Sequence, residues 1–150
     1  MYTIESLSGR LIDEAYRMKA SDIHIVPGEK EAVVRFRIDD ELFQKDGLTR
    51  NECSRLISHF KFLSSMDIGE RRLPQSGALT LYINREPVHL RMSTLPTIHD
   101  ESLVIRLLPK MSSKPLTKLS LFPSATFKLL SFLKHSHGLM LFTGPTGSGK

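Results

Sequence analysis

The residues with the clearest chemical signature are residues 144–150, which read G-P-T-G-S-G-K. This spacing matches the phosphate-binding loop G-x-x-x-x-G-K, which continues with Ser or Thr after the lysine. The glycines let the backbone turn its N–H groups toward phosphate oxygens, and the lysine adds a positive charge for the terminal phosphates. The pattern therefore predicts a nucleotide phosphate site formed by Gly144, Pro145, Thr146, Gly147, Ser148, Gly149 and Lys150. The alternative interpretation is a flexible Gly/Ser tail.

The apolar run L-M-L-F at residues 139–142 precedes this loop and is typical of a buried strand of a parallel sheet. In the complete motif, the hydroxyl after the lysine binds magnesium, and the helix that follows directs its positive end at the phosphates. We therefore expect the chain to be the N-terminal portion of a longer protein, cut inside its phosphate loop. We expect the 150-residue chain alone to be inactive as an ATPase and to bind nucleotide weakly.

Composition limits the function classes only broadly. The chain is 40% hydrophobic and 25% charged, as is ordinary for a globular protein. It contains no apolar run near the roughly 20 residues that span a bilayer. Its one cysteine, Cys53, excludes an internal disulfide and lies on an apolar helical stripe, which predicts a buried, inert thiol. A net charge of +5 is compatible with an anionic partner but selects none.

Hydrophobic periodicity predicts the elements that position these residues. A helix begins near Thr3, and alternating strands follow around Ile23 and from residue 31 to residue 38. The capping box T-x-x-E at residues 49–52 predicts a second helix. Three more alternating segments contain Leu79, Leu90 and Ile105, the first two joined by a hairpin at residues 84–87.

The same alternation places two arginines on the opposite side of the predicted sheet from the core. Arg91 lies between the apolar residues Leu90 and Met92, and Arg106 lies between Ile105 and Leu107. Side chains of successive strand residues alternate between the two faces, so both arginines are expected to face away from the core and to be free to meet something outside the domain.

These patterns predict an α/β (α+β) protein. Residues 1–108 form a domain with an antiparallel sheet and two helices, and residues 109–122, rich in Pro, Ser and Lys, form a linker. Residues 123–150 open a second domain, with Pro123 in the first turn of a helix that Gly138 ends.

Four stretches in this order resemble the secretion and pilus-assembly ATPases of type II secretion and type IV pili. They are A-S-D-I-H-I at residues 20–25, D-I-G-E-R-R-L-P-Q at 67–75, the block from residue 90 to residue 106, and the phosphate loop. Together they span nearly the whole chain. The segments S-L-F-P and H-S-H at residues 135–137 are most similar to the branch that serves the competence pseudopilus of Gram-positive bacteria.

The resemblance implies a PAS-like N-terminal domain followed by a RecA-like P-loop ATPase domain that uses ATP and Mg²⁺. It implies self-assembly into a hexameric ring. It also implies a cytoplasmic protein, peripheral at the inner face of the cell membrane, that works against a membrane platform protein. Arginines at the positions of Arg91 and Arg106 would then reach a nucleotide in a neighbouring subunit. The catalytic glutamate, Walker B and histidine-box segments would lie beyond Lys150.

The chain departs from the family pattern in places. The family's D-G-R after Pro-Gln is here Ser76-Gly77-Ala78, so one common arginine is absent. The R-x-D-G turn is R-I-D-D at residues 37–40, and the H-G-E segment is H-D-E at residues 99–101.

A second function class remains open: a non-enzymatic PAS-like sensor or an adaptor that binds anions or nucleic acid. Its anion patch would comprise Arg35, Arg37, Arg71 and Arg72. Direct nucleic-acid binding is not expected, because Phe36, Phe43 and Phe60 are predicted on core faces rather than among the basic residues.

Several other residues have more ordinary interpretations. His24 is read as a hydrogen-bonded structural residue. The alternative interpretation of Arg91 and Arg106 is local pairing with acids such as Glu70 or Glu101. The alternative interpretation of Arg71 and Arg72 is a solvated connector. No metal site is predicted, since His135 and His137 suit a helix C-terminus and have no further ligands nearby.

Overall fold

The computed structural model describes residues 3–45, 47–109, 115 and 122–144. The chain divides into two compact units, residues 1–111 and residues 112–150. The assignments of residues 1–108 to a PAS-like domain, 109–122 to a linker and 123–150 to a RecA-like domain stay predictions. Most of the predicted linker lies outside the described residues.

The described residues of the first unit form two helices and seven strands. They are α1 (Ile4–Arg17), β1 (Asp22–Val26), β2 (Glu31–Ile38), β3 (Glu41–Gln44), β4 (Leu48–Thr49), α2 (Arg50–Leu63), β5 (Gln75–Ile83), β6 (Glu86–Thr97) and β7 (Asp100–Pro109). The strands form an antiparallel sheet in the order β3-β2-β1-β7-β6-β5, and β4 also pairs with β2. The predicted α/β class, with an antiparallel sheet and two helices in this part of the chain, is confirmed.

Alternation along the strands gives the sheet two different faces. On the inner face, apolar side chains such as Ile23, Phe36 and Ile105 are fully buried. They form one core with the apolar stripes of α1 and α2, to which Ile12 and Phe60 belong. The outer face, defined by the residues that alternate with these, carries Asp22 of β1, Arg35 and Arg37 of β2, Arg91 of β6 and Arg106 of β7.

Local sequence signals explain where the elements begin and turn. Thr49 and Glu52 form the predicted capping box at the start of α2, each side chain bonding the other's backbone N–H. The β5–β6 hairpin turns at Asn84 and Arg85, whose φ angles of 52° and 66° suit a two-residue type I′ turn. The β2–β3 hairpin turns at residues 39–40 in the same way.

A buried ion pair holds the connector between α2 and β5 in place. Nζ of Lys61 lies 2.9 and 3.0 Å from the two carboxylate oxygens of Glu101, and it also donates to the carbonyl oxygen of Glu70 in the connector. Both charged side chains are almost completely buried. The amide of Gln75 closes the connector further by bonding the backbone of Asp67 and Glu70. We did not expect this pair from the sequence.

The second unit is described through α3 (Pro123–Leu133), which has proline in its first turn as predicted. Two expectations here are wrong. The helix ends at Leu133 with Lys134 as its C-cap, so Gly138, with φ 134°, lies beyond the helix rather than ending it. Residues 139–142 form no strand and are exposed. A strand requires a hydrogen-bonded neighbour, and the described residues of this unit provide none.

Phe43 lies on the predicted core face of the sheet but is not buried there. Phe43 pairs with Phe36 across β2 and β3, but its side chain is 45% exposed. Because β3 is the edge strand of the sheet, one side of Phe43 has no neighbouring strand to cover it. Phe36 and Phe60 are buried, as predicted.

Candidate functional site

Four charged residues lie side by side across the outer face of the sheet. In the strand register Arg37 is opposite Asp22, Asp22 is opposite Arg106, and Arg106 is opposite Arg91. We call these four residues, which lie on β2, β1, β7 and β6, the arginine row. Three of its members are cations and one is an anion, so the row carries net positive charge.

Asp22 is the acid on which the row depends. Its side chain is only 6% exposed, and its Oδ1 lies 2.9 Å from Nε of Arg106. Its Oδ2 accepts a hydrogen bond of 2.8 Å from the hydroxyl of Ser21 and lies 3.7 Å from Nε of Arg37. Burial disfavours ionisation of this carboxyl, but the hydrogen bonds from Arg106 and Ser21 outweigh it, so the pKa of Asp22 is below its usual value. The carboxylate is therefore charged at neutral pH.

Arg106 differs in part from the sequence expectation. It faces away from the core, as predicted, and its side chain is 64% exposed. It is not free, however, because its Nε is held by Asp22, and this partner is neither of the two acids that the sequence suggested. The guanidinium has five N–H groups in a planar fork, so bonding through Nε leaves the edge formed by its two terminal nitrogens for another anion.

Arg91 is exposed and makes no hydrogen bond or ion pair with the described part of the chain. It lies directly opposite Arg106 on the neighbouring strand. Like charges in opposed positions of an antiparallel pair repel each other, and Asp22 offsets this repulsion on the side of Arg106 only. An anion that lies against both arginines would stabilise the arrangement further. Two exposed guanidinium groups on opposed residues can bind the oxygens of one phosphate chain.

His24 lies two residues after Asp22 on β1, so it is on the same outer face, and it is opposite Arg35. Its Nε2 is buried without a hydrogen-bond partner among the described residues, so the expectation of a hydrogen-bonded structural histidine is wrong for this atom. Burial lowers the pKa of His24, and the nearby positive charges of Arg37, Arg35 and Arg106 lower it further against the charge of Asp22. The imidazole is therefore neutral at physiological pH and adds no charge to the row.

On β5, the strand next to the end of the row, Ala78 is the register partner of Arg91. This is the position at which the resemblance leads one to expect an arginine. The row therefore lacks one cation at its β5 end, and Arg91 is its last charged member on that side.

The phosphate loop belongs to the second unit. Gly144 is described and exposed. Pro145, Thr146, Gly147, Ser148, Gly149 and Lys150 lie outside the described residues, so their role stays a prediction.

The anion patch of the adaptor hypothesis is not brought together. Arg35 and Arg37 lie on the outer face of β2, whereas Arg71 lies in the connector, where its Nη1 is 3.3 Å from a carboxylate oxygen of Asp100 at the β6–β7 turn. Since Asp100 is six residues from Arg106, this end of the strand is roughly 20 Å from the arginine row. Among the described residues, Arg71 therefore shares no common surface with Arg35 and Arg37.

Sequence reasoning identified Arg91 and Arg106 but missed Asp22. The missing information was the strand order, because Asp22 meets Arg106 only when β1 pairs with β7. The available signal was an acid at an outward position of a strand that the inward residues Ile23 and Ile25 define. Such an acid is costly to bury unless it has a cationic partner.

No described helix is long and apolar enough to cross a membrane. Within the described residues, no group of three or more His, Cys, Asp or Glu side chains is arranged to hold a metal ion.

The sequence is similar to curated secretion and competence proteins. It is 62% identical over 150 residues to the Competence protein ComGA of Bacillus subtilis (strain 168), covering all of this chain and 42% of that protein. It is 38% identical over 148 residues to the Type II secretion system ATPase E of Vibrio cholerae, covering 98% of this chain and 29% of that protein. The chain thus spans less than half the length of these relatives.

The fold is similar to that of solved ATPases. The pilus retraction motor PilT, solved with bound ADP, aligns with a TM-score of 0.55 and 23% identity over 94% of this chain and 39% of PilT. The ATPase DotB of Legionella pneumophila aligns with a TM-score of 0.54 and 21% identity over 99% of this chain and 39% of DotB. At this identity the likeness concerns the fold.

The family model described as "Type II/IV secretion system protein" matches residues 2–150. This match covers nearly the whole chain and agrees with the order of the four stretches that carried the resemblance. The chain therefore belongs to the type II/IV secretion system protein family.

Proposed function

We propose that this chain is the N-terminal part of a traffic ATPase that powers assembly of a pilus or pseudopilus, for DNA uptake in competence or for type II secretion. The observation that carries the proposal is the 62% identity to the Competence protein ComGA along the whole chain. A relative named as an ATPase at 38% identity supports the same activity.

In this proposal the phosphate loop binds ATP. Backbone N–H groups of Gly147 and Gly149 would bind the phosphate oxygens, and Lys150 would offset the negative charge that develops on the terminal phosphate during transfer to water. The hydroxyl that the motif places after the lysine would hold magnesium, which would offset part of the negative charge of the phosphates when bound. Little covalent chemistry is required of the protein, so positioning and charge account for most of the acceleration.

The arginine row contributes to the nucleotide site of a neighbouring subunit in a hexameric ring. Arg91 and Arg106 support this role because both are exposed and directly opposed, an arrangement that an anion would stabilise. An arginine supplied to the transition state from another subunit is worth roughly 10³-fold or more in turnover. In this scheme hydrolysis in one subunit depends on the sheet of the next.

Because each nucleotide site is completed by a neighbouring subunit, hydrolysis can move one subunit of the ring relative to the next. ATP hydrolysis moves the N-terminal domains relative to the ATPase domains, and the ring acts on a membrane platform protein. The protein then works in the cytoplasm, peripheral at the inner face of the membrane, and does not itself contact the transported DNA.

The phosphate loop is tested by replacing its lysine in the full-length enzyme. Lys150→Ala should lower ATP turnover by roughly 10³-fold or more, because no neighbouring cation can replace that charge. Lys134→Ala is the matched control, since it removes an exposed lysine at the end of α3 in the same unit and should leave turnover within about twofold. Substantial turnover in purified Lys150→Ala enzyme would refute the proposal.

A further inference from the structure

We infer that Asp22 is a positioning residue for Arg106: its buried carboxylate holds the Nε edge of that guanidinium so that the opposite edge meets the nucleotide of a neighbouring subunit. This inference rests on the proposed function, since it assumes that Arg106 contacts a nucleotide. It gives Asp22 a role in the nucleotide site that none of the sequence motifs indicated.

The first support is the difference in exposure across this ion pair. The side chain of Asp22 is 6% exposed and that of Arg106 is 64% exposed. An ion pair between two exposed side chains is held weakly, whereas a buried carboxylate is a fixed anchor point for a guanidinium that reaches into solvent. The exposed partner is therefore the one that remains available to a ligand.

The second support is the number of contacts that fix the anchor itself. The hydroxyl of Ser21 donates to Oδ2 of Asp22 at 2.8 Å. The backbone on each side of this segment is also fixed, because the N–H of Ser21 donates to the carbonyl of Arg37 and the N–H of Leu107 donates to the carbonyl of Ser21. Asp22 thus lies in a central strand bonded on both sides, where it can move little.

The third support is that Asp22 engages Arg106 more closely than it engages Arg37. The Nε of Arg106 lies 2.9 Å from the carboxylate, whereas that of Arg37 lies 3.7 Å from it, beyond hydrogen-bond distance. Arg37 instead donates from Nη1 to the carbonyl of Asp40 at 3.3 Å. The carboxylate is therefore bonded to one arginine and only attracts the other electrostatically.

Holding the Nε edge has a definite chemical consequence. An arginine side chain that no acid holds must lose rotamer freedom before its guanidinium can bind a phosphate with two parallel hydrogen bonds. A side chain that Asp22 already holds loses less, and the edge formed by the two terminal nitrogens keeps the geometry that two phosphate oxygens require. Asp22 also keeps Arg106 in place beside Arg91 despite their mutual repulsion.

The test is a double-mutant cycle in the full-length, ring-forming enzyme, with turnover measured on radiolabelled ATP so that slow variants remain quantifiable. Asp22→Ala should lower kcat roughly 10-fold and leave the KM for ATP within about threefold, because the nucleotide is bound mainly by the other subunit. Arg106→Ala should lower kcat further. The double variant should be no slower than Arg106→Ala, because Asp22 acts only through that arginine.

Two further variants keep the result interpretable. Asp22→Asn retains an acceptor oxygen and nearly the same shape, so it should fold and lose less turnover than Asp22→Ala; it replaces the alanine variant in the cycle if that chain does not fold. Asp13→Asn is the matched control, because Asp13 is paired with Arg17 at 2.8 Å on α1, away from the row, and its replacement should leave kcat unchanged.

The outcomes separate the inference from the proposed function. If Arg106→Ala has near-normal kcat, the proposed role of Arg106 fails and the inference fails with it. If Arg106→Ala is slow but Asp22→Ala slows the enzyme by the same factor with or without Arg106, Asp22 has a merely structural role and only the inference is overturned. An unchanged kcat in Asp22→Ala overturns it as well.

Discussion

At the scale of single residues, Cys53 shows how burial controls reactivity. Its side chain is 2% exposed, and burial, together with the charge of Asp100, raises the pKa of its thiol from 9.0 to about 11. The thiolate is the reactive form, so a raised pKa makes the cysteine unreactive at neutral pH. The helical stripe predicted a buried thiol, and its burial is confirmed.

We expect iodoacetamide at pH 8 to alkylate Cys53 at least 100-fold more slowly in the native protein than in denaturant, since about two pKa units separate the two thiols. Mass spectrometry over time measures both rates, and the single cysteine makes the assignment unambiguous. The raised pKa of Cys53 also predicts an effect of pH on the free energy of unfolding. Between pH 9.0 and about 11 the thiol keeps its proton in the native state and loses it in the unfolded state, so the free energy of unfolding should fall as pH rises through this range. Comparable rates in the native and unfolded protein would contradict the burial.

Gly77 is a second residue whose environment sets a sharp expectation. A Cβ added there would lie 2.6 Å from the carbonyl oxygen of Ser64 and 2.8 Å from its Cβ, because β5 runs close to the end of α2. Gly77→Ala should therefore destabilise the protein by roughly 1–3 kcal/mol. Gly9→Ala is the matched control: Gly9 lies within α1 with nothing near its missing Cβ, so that change should stabilise by roughly 0.5–1 kcal/mol.

Chemical denaturation of the two variants beside the parent chain provides the measurement. Opposite signs are the expected result, because the substitution is the same and only the surroundings differ. A Gly77→Ala protein as stable as the parent would mean that β5 and α2 can separate at no cost.

At the scale of elements, the buried pair of Lys61 and Glu101 joins α2, β7 and the connector. Lys61→Met leaves the carboxylate of Glu101 buried without its cation, and it removes the donor to the carbonyl of Glu70. We expect a destabilisation of roughly 3–5 kcal/mol, together with faster proteolysis of the connector.

The double variant Lys61→Met/Glu101→Leu is the decisive comparison. Because an apolar pair needs no compensating charge, it should recover much of the lost stability, while the connector stays sensitive to protease since the Glu70 carbonyl still lacks its donor. Thermal unfolding and limited trypsin digestion of the two proteins measure the two effects separately. A single variant as stable as the parent would argue that Glu101 is solvated.

Elements were the scale at which the sequence was most informative. The period of apolar residues predicted both helices and most strands of the first unit, but not the short β4, and the capping box at Thr49 located the start of α2. These features depend on neighbours along the chain. The prediction for residues 139–142 was wrong because a strand depends on its pairing partners. The exposure of Phe43 on the core face could not be predicted because edge position depends on strand order.

The candidate site was predictable only in part for the same reason. Alternation along each strand was enough to predict that Arg91 and Arg106 lie on the outer face, because the face that a side chain occupies depends only on its position in its own strand. Their opposition to each other, and the bond from Arg106 to Asp22, required the pairing of β7 with both β6 and β1. The ion pair of Lys61 and Glu101, 40 residues apart, was invisible to any local pattern.

At the scale of the whole molecule, the proposed ring predicts that two damaged subunits can rescue each other. Arg91→Ala damages the site that a subunit completes in its neighbour, whereas Lys150→Ala damages the subunit's own phosphate loop. Each enzyme alone should be slowed by roughly 10³-fold or more. In mixed rings, some interfaces combine an intact loop with an intact arginine, so partial turnover should return.

Mixing purified variants under conditions that exchange subunits, with native mass spectrometry to show mixed rings, provides the measurement. The matched control pairs Lys150→Ala with itself, which offers no intact loop and should give no rescue. Mixed rings without recovered turnover would return Arg91 to a structural role.

The pairing of β1 with β7 also has a consequence for the order of folding. The bond between Asp22 and Arg106 joins residues 84 positions apart, so closing that loop costs chain entropy before the contact can form. Such distant pairings form slowly compared with local hairpins like β5–β6. During synthesis the positive row therefore cannot assemble until the ribosome has released β7, and a nascent chain presents no ordered arginine pair to cellular nucleotides until its central sheet is complete.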